Sequence, residues 1–240
     1  MATVEITLTL NFMIKMADHI PRCLDFSLEH LRSELGLGVK MNLKENTNLV
    51  FQQISNAVQE AGRENDSVSV IAVTKYVDVE TASALVSQGV QHIGENRVDK
   101  FLDKYHALSD KNLTWHLIGT LQRRKVKEVI SYVDYFHALD RESLAKEIEK
   151  RAEDKVNCFV QVNVSGEESK HGLTSHETIE FIKGLGKYSK INVIGLMTMA
   201  PFVEDEDVLR NCFKKLRQLR DEVKELKLDY APCEYLSMGM

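Results

Sequence analysis

A lysine at the end of a buried strand is the residue of this chain with the clearest potential for chemistry. The residues from Val68 to Thr74 carry no charge and are rich in Val and Ile, which is typical of a strand buried on both faces, and Lys75 follows directly. In α/β sheets and barrels, ligands bind at the carboxyl ends of the strands. A functional amine and a lysine that merely extends its ammonium group into solvent are both open at this point.

Candidate site residues, most of them polar, also lie at or after the ends of most other predicted strands. In chain order they are Glu95, Asn96 and Arg97, then His116 and Gly119, Asn163 and Ser165, Met197 and Thr198, and finally Ser237. If the strands are parallel and neighbouring, these residues surround Lys75 in space although they are scattered in sequence. Active sites of α/β barrels are assembled in this way.

The elements that position these residues alternate regularly. A helix over 42–61 comes first, and Gly62 stops it. The pattern then predicts strands at 68–75, 90–94, 114–119, 134–138, 156–164, 191–198 and 233–237, and helices at 79–88, 96–108, 123–131, 141–153, 175–186 and 205–227. Such repetition predicts parallel strands with right-handed crossovers, and we expect an α/β fold, a TIM-type (β/α)8 barrel rather than an open sheet.

Composition limits the function classes. The chain has 240 residues, of which 43% are hydrophobic, and a net charge of −5, which argues against a sequence-independent nucleic-acid binder. No apolar run is long enough for a membrane span, and no secretory signal is evident at the first residues. Cys23, Cys158, Cys212 and Cys233 have no zinc-site spacing and are typical of reduced thiols. We therefore expect a cytoplasmic protein.

Six short motifs in order resemble the pyridoxal-phosphate homeostasis protein family. They are AVTKY, HIGENRV, WHLIGTLQRRK, VNVSGEESKHG, GLMTMAP and LSMGM, and the resemblance covers Met41 to Met240. It implies a fold like the N-terminal barrel of alanine racemase and pyridoxal 5′-phosphate as cofactor. It also implies that Lys75 holds the cofactor as an aldimine. Partial desolvation at a barrel mouth suits this, because a Schiff-base lysine must lose its proton.

The resemblance also implies roles for other residues. Asn96 would form a hydrogen bond near the phenolic oxygen of the cofactor, or act as the N-cap of the following helix, or both. His116 would flank the ring, with core packing as the alternative, and Met197 would pack on the pyridine face, where core packing is favoured. Ser237, Met238 and Gly239 would begin the phosphate cradle, because a hydroxyl and free amides at a helix N-terminus suit a phosphate dianion. No catalytic residue and no metal ligand is predicted.

The chain departs from the family pattern at both ends. After Met240 the expected last helix and strand are absent, so we expect a barrel with an open edge between its seventh strand and the strand of Lys75. The alternating segment from Val4 to Leu10 is an alternative cover for that edge, but it is not favoured because nothing in it resembles the missing strand. We interpret residues 1–40 as an extension outside the family, or a start-site artefact, and residues 41–240 as the cofactor-binding domain.

Two charged patches stay open to more than one interpretation. Arg123, Arg124, Lys125 and Lys127 are either an anion site or, as we favour, a solvated helix face. Lys170 and His171 lie on the loop after the fifth strand, and a site for a substrate or effector anion is a hypothesis there.

The first functional hypothesis is a protein that binds pyridoxal phosphate, buffers or delivers it, and catalyses no turnover reaction. Its partners would be the cofactor and apo-enzymes that need it, with no nucleic acid or membrane, and we expect a monomer. The alternative is a racemase or decarboxylase of a small amino acid. A racemase needs a second acid/base group, and the chain has no residues left for the domain that supplies it in alanine racemase. A Schiff-base aldolase without pyridoxal phosphate is a third hypothesis.

Overall fold

Eight parallel strands form a closed barrel in chain order. The computed structural model describes residues 4–9, 43–64, 67–166, 171–201, 203 and 205–239, and for 4–9 it describes the backbone. The strands are β1 (Val4–Thr9), β2 (Val68–Val73), β3 (His92–Glu95), β4 (Thr114–Leu117), β5 (Tyr135–Leu139), β6 (Val156–Gln161), β7 (Ile191–Met199) and β8 (Tyr235–Gly239). The predicted TIM-type barrel is confirmed.

Helices connect most of these strands. They are α1 (Leu43–Glu60), α2 (Val79–Val86), α3 (Val98–Ala107), α4 (Val126–Val129), α5 (Glu142–Arg151), α6 (Ser175–Gly184) and α7 (Glu206–Glu225). Short 3-10 turns cover Arg123–Lys125, Ile130–Tyr132 and Leu185–Lys187. The helix predicted over 123–131 is therefore a single α-turn between two 3-10 turns. No helix in the described ranges is long and apolar enough to cross a membrane.

The long helix α7 illustrates why these helices form and how they pack. Asp205 caps its N-terminus by accepting hydrogen bonds from the backbone amides of Asp207 and Val208. Leu216, Leu219 and Val223 are buried at helical spacing, which puts one apolar stripe against the barrel. The acidic first turn also complements the helix dipole.

The two faces of each strand meet different surroundings. On β4, Trp115 and Leu117 belong to the main core between the strands and the helices, while His116 between them is buried away from that core. A smaller apolar cluster of Phe159, Ile194 and Met197 fills part of the lumen. The lumen is therefore packed, but with more polar side chains than the outer core.

Strand β1 closes the barrel, which corrects the expectation of an open edge. It pairs in parallel with β2, from Val4 against Val68 to Thr9 against Val73, and with β8, from Val4 against Leu236 to Thr7 against Gly239. The prediction was wrong because it required the segment from Val4 to Leu10 to resemble the missing strand in sequence. Pairing at a sheet edge requires only backbone donors and acceptors in register. Residues 10–42 lie outside the described ranges, so the assignment of residues 1–40 to a separate extension stays a prediction.

Candidate functional site

Lys75 lies at the mouth of the barrel, in the turn directly after β2. Its side chain is half-buried, and Nζ lies 5.0 Å from the centroid of the Tyr76 ring, which is 69% exposed. Within the described part of the chain, no carboxylate forms an ion pair with this amine. The amine is thus accessible and uncommitted, as a nucleophilic lysine requires, although a solvent-extended lysine would have the same surroundings.

A buried ionic network holds the backbone just before Lys75. It consists of Thr74, Glu95 and Lys104, each at most 2% exposed. Glu95 Oε1 accepts hydrogen bonds from Lys104 Nζ at 2.6 Å and from Thr74 Oγ1 at 2.7 Å, and Lys104 Nζ also donates to the Thr74 carbonyl at 3.0 Å. The network connects the ends of β2 and β3 to α3. The turn that carries Lys75 is therefore anchored on the side that faces α3.

The sequence contained a signal for this network that our prediction did not use. Lys104 occupies an apolar position of α3, three residues after the fully buried Phe101 and four before the buried Leu108. Glu95 is the only carboxylate in its strand, His92–Glu95. Lys104 on α3 and Glu95 on β3 have opposite charges and lie on two surfaces that must pack together. This indicates a buried ion pair, because burying one charge alone costs far more free energy than burying a paired charge.

Asn96 follows β3 at the same mouth and is half-buried. A Cβ atom on Gly119, in the loop after β4, would lie 2.2 Å from the Asn96 carbonyl oxygen, so only glycine allows these two loops to approach. The N-cap of α3 is Arg97, not Asn96, and the helix begins at Val98. The alternative role of Asn96 as the cap of this helix is therefore wrong, and its role toward a cofactor stays a prediction.

A second polar network runs through the lumen, and we call it the histidine chain. His92 Nδ1 lies 3.0 Å from His116 Nε2, His116 Nδ1 lies 2.9 Å from His137 Nε2, and His137 Nδ1 lies 2.9 Å from Ser237 Oγ. His116, His137 and Ser237 are fully buried, whereas His92 is half-buried. Two predicted cofactor residues, His116 and Ser237, are thus joined by a histidine that sequence analysis missed.

The rings of the chain are held neutral by their burial. Burial lowers the pKa of His137 from 6.5 to about 3. Burial also lowers the pKa of His116 well below 6.5, and the neighbouring His137 and His92 act in the same direction. The pKa of His92 is lowered by burial as well, but the Asp134 carboxylate opposes that shift. Burial therefore favours the neutral form of all three rings, and the Asp134 carboxylate opposes this effect at His92.

The structure also defines the surroundings of His116. Val73 pairs with Gly94 and Gly94 pairs with His116, so His116 lies in the row of residues two positions before Lys75. Both of its ring nitrogens contact other histidines, and Tyr135 stacks on the ring with centroids 4.9 Å apart. Any contact between His116 and a bound ring would therefore use the remaining imidazole face, and that role stays a prediction.

The other predicted cofactor residues lie on β7 and β8. Met197 is 4% exposed and packs in the lumen cluster, while Met238 packs against the main core on the opposite face of β8 from Ser237. The Gly239 carbonyl accepts a hydrogen bond from the Ala200 amide. Residues 237–239 thus form a strand paired on both sides rather than the open turn at a helix N-terminus that we expected. Their contact with a phosphate stays a prediction.

The two charged patches have separate outcomes. Arg124 Nε donates to Gln122 Oε1, and Lys125 forms an ion pair with Glu128 at 2.7 Å, which fits the favoured solvated surface. Lys170 lies outside the described residues, and the adjacent His171 is exposed. Within the ranges that the structure covers, no group of three or more His, Cys, Asp or Glu side chains could hold a metal ion.

Comparisons with known proteins show the family to which this chain belongs. A family model described as the alanine racemase N-terminal domain matches residues 51–240. A pyridoxal phosphate homeostasis protein of Aquifex aeolicus is 39% identical over 204 residues, which are 83% of this chain and 88% of the relative.

Two solved structures share the fold. A crystal structure of an unknown protein from Bifidobacterium adolescentis has a TM-score of 0.75 and 29% identity, and the match covers 82% of this chain and 92% of that one. The structure of PipY from Synechococcus elongatus with pyridoxal phosphate bound has a TM-score of 0.64 and 22% identity, covering 78% of this chain and 98% of that one.

Proposed function

Because this chain belongs to the pyridoxal phosphate homeostasis protein family and matches the alanine racemase N-terminal domain, we propose that it binds pyridoxal 5′-phosphate through Lys75 and buffers or delivers it. The observation that carries the proposal is the accessible amine at the barrel mouth, anchored by the ionic network and free of any carboxylate partner among the described residues. The name of the Aquifex relative and the cofactor bound in PipY support it.

The residues at the mouth fit the aldehyde end of this cofactor. Lys75 would hold the cofactor at its aldehyde carbon, because a lysine amine can act as a nucleophile toward an aldehyde. When bound, the cofactor supplies an electron sink that stabilises a carbanion. Asn96 lies at the next strand end, where its amide can bind a polar substituent of the ring. Our assignment of the phosphate to Ser237, Met238 and Gly239 is a further part of the proposal, although these residues belong to a strand paired on both sides.

An absorbance titration with pyridoxal phosphate tests the proposal. We expect an imine band in the full chain and in Lys215→Ala, a control that removes an exposed lysine on α7, but not in Lys75→Ala. Reduction with borohydride followed by mass spectrometry should place the adduct on Lys75. A band retained in folded Lys75→Ala, or an adduct on another lysine, would contradict the assignment.

The alternative is catalysis of amino-acid racemisation or decarboxylation, and the match to the alanine racemase N-terminal domain is the observation that favours it. The loaded protein and Lys75→Ala can be incubated with L-alanine and the products separated by chiral chromatography. We expect no D-alanine or amine above the level of the variant. Conversion that depends on Lys75 would favour the enzyme.

Delivery requires a recipient, and we propose apo-enzymes that use pyridoxal phosphate, encountered in the cytoplasm by a monomer. The three described cysteines, Cys158, Cys212 and Cys233, are buried and no disulfide joins them, which fits a reducing compartment. Mixing the loaded protein with such an apo-enzyme, with a cofactor trap in solution, separates direct transfer from release and rebinding. Recovery of recipient activity in the presence of the trap is the expected result.

A further inference from the structure

A cavity of about 200 Å³ lies at the end of the barrel opposite Lys75. Its wall is formed by the C-terminal end of α3, the start of β4 and the segment that leads into β5. Drug-sized ligands occupy pockets of about 300–1,000 Å³, so this cavity suits a group of only a few heavy atoms. Because β4 and β5 border it with their N-terminal ends, whereas Lys75 follows the C-terminal end of β2, the cavity is separate from the proposed cofactor site.

Three aromatic side chains line this cavity. The Tyr105 ring contacts both Trp115 and Tyr132, with centroids 5.4 and 4.9 Å away, and the two neighbouring rings are tilted from it by 58° and 54°. Trp115 is buried, whereas Tyr132 is 38% exposed. The face of an aromatic ring carries partial negative charge and attracts cations, most strongly for tryptophan. The aromatic wall therefore favours a cationic group.

A carboxylate is fixed in the same wall. The Trp115 amide donates a hydrogen bond to Asp134 Oδ2 at 2.7 Å, and the Asp134 amide donates to the Trp115 carbonyl at 3.0 Å. Among the described residues, no donor forms a hydrogen bond with Asp134 Oδ1. The side chain is thus held in place through one oxygen, and the other oxygen remains for a donor in the cavity.

The charge of this wall is negative. Lys111 also lines the cavity, but its ammonium group is paired with Asp110 at 2.9 Å. The Asp134 carboxylate acts on His92, yet burial lowers the pKa of that ring and favours its neutral form. Within the part of the chain that the structure describes, no lysine or arginine forms an ion pair with Asp134. The carboxylate charge is therefore uncompensated locally, which disfavours an anionic ligand and favours a cation.

We propose that this cavity binds a compact organic cation, a guanidinium or alkylammonium group, against Asp134 and the rings of Tyr105, Trp115 and Tyr132. The cation donates a charge-assisted hydrogen bond to the carboxylate, and the rings attract its charge. A guanidinium group suits the site best, because it is planar, stacks on aromatic rings and is more weakly hydrated than an ammonium group. The group belongs to a free small molecule or to a basic side chain of a protein partner.

The fluorescence of Trp115 reports on this cavity directly, since the chain has 1 tryptophan. The full chain, without added pyridoxal phosphate, is titrated with methylguanidinium at constant ionic strength and about pH 8, where histidine is ordinarily uncharged. We expect a saturable change in emission with methylguanidinium and none with methylurea, a neutral molecule of similar shape. Because no cofactor is present, the result does not depend on the proposed function.

Variants separate the charge from the rings. Asp134→Asn keeps an oxygen for the Trp115 amide but removes the charge, and we expect it to bind methylguanidinium about tenfold more weakly. Asp154→Asn, at an exposed aspartate shortly before β6, is the matched control and should bind as the wild type does. Tyr132→Leu should weaken binding about threefold or more, whereas Tyr132→Phe, which keeps the ring, should not. Circular dichroism verifies that each variant is folded.

A blocked peptide, acetyl-Gly-Arg-Gly-amide, distinguishes the two sources of the cation. Binding at least as tight as that of methylguanidinium, with the same loss in Asp134→Asn, would assign the cavity to an arginine side chain of a protein partner. Tighter binding of methylguanidinium than of the peptide would assign it to a free small molecule. No saturable change with methylguanidinium in the wild type, or unchanged affinity in folded Asp134→Asn, would overturn the proposal.

Discussion

The barrel contains two buried polar networks that avoid the cost of buried charge in opposite ways. The ionic network of Thr74, Glu95 and Lys104 lies between the strand ends and α3 and keeps both charges, paired at 2.6 Å. The histidine chain lies in the lumen, and burial lowers the pKa of His116 and His137, which favours their neutral form. A buried charge must be neutralised by a partner or by loss of ionisation, and this molecule uses one solution on each side of the same sheet.

The difference predicts different sensitivities. The ionic network depends on the presence of both partners, and Glu95 Oε2 has no hydrogen-bond partner among the described residues, so this carboxylate relies on Oε1 contacts alone. The histidine chain depends on pH and on the direction of its hydrogen bonds. The first network suits a rigid anchor under Lys75, whereas the second responds to protonation of its rings.

Removing one charge from the ionic network should have the largest effect. Lys104→Met leaves the Glu95 carboxylate buried without its cation and should lower the free energy of unfolding by about 3–5 kcal/mol, measured by urea denaturation. Lys100→Met, an exposed position on the same helix, should change it by less than about 0.5 kcal/mol. Adding Glu95→Gln to Lys104→Met should recover part of the loss. Equal free energies of unfolding for Lys104→Met and Lys100→Met would show that Glu95 and Lys104 do not form a buried charge pair.

Acidification should destabilise the histidine chain before it affects the ionic network. The unfolded chain binds a proton on each histidine near pH 6.5, while folded His137, with a pKa of about 3, does not, so the stability from this ring is complete above pH 6.5 and decreases as the pH falls. Between about pH 6.5 and 5 the loss should be about 2 kcal/mol for His137, and His116 acts in the same direction. Thermal unfolding at several pH values, compared with His137→Phe, measures it. A pH dependence unchanged in His137→Phe would contradict this assignment.

Deleting one hydroxyl from each network gives the most closely matched comparison. Thr74→Val removes a hydrogen bond to a charged carboxylate and should cost about 1.5–3 kcal/mol, whereas Ser237→Ala removes a bond to a neutral ring and should cost about 0.5–1.5 kcal/mol. Denaturant unfolding of both variants in the same buffer measures the two losses in the free energy of unfolding, so that they can be compared. A larger loss in Ser237→Ala would show that the lumen network, not the ionic one, dominates stability.

Much of the architecture was predictable because it depends on local pattern. The apolar run of β2, the alternation of strands and helices and the apolar stripe of α7 were all evident in the sequence, and the structure confirms them. Element boundaries were less accurate. The region 123–131 was predicted as one helix, but it forms a single α-turn, Val126–Val129, between two 3-10 turns.

What the sequence determined by itself was the order of elements, the position of Lys75 at a strand end and the family motifs, because these depend on residues close together in the chain. The tertiary structure alone decided that β1 closes the barrel, that Lys104 reaches Glu95 and Thr74, and that His137 connects His116 to Ser237. His137 and Ser237 are 100 residues apart. Such contacts depend on strand register and on which face each side chain occupies, and no local pattern records how eight strands align around a lumen.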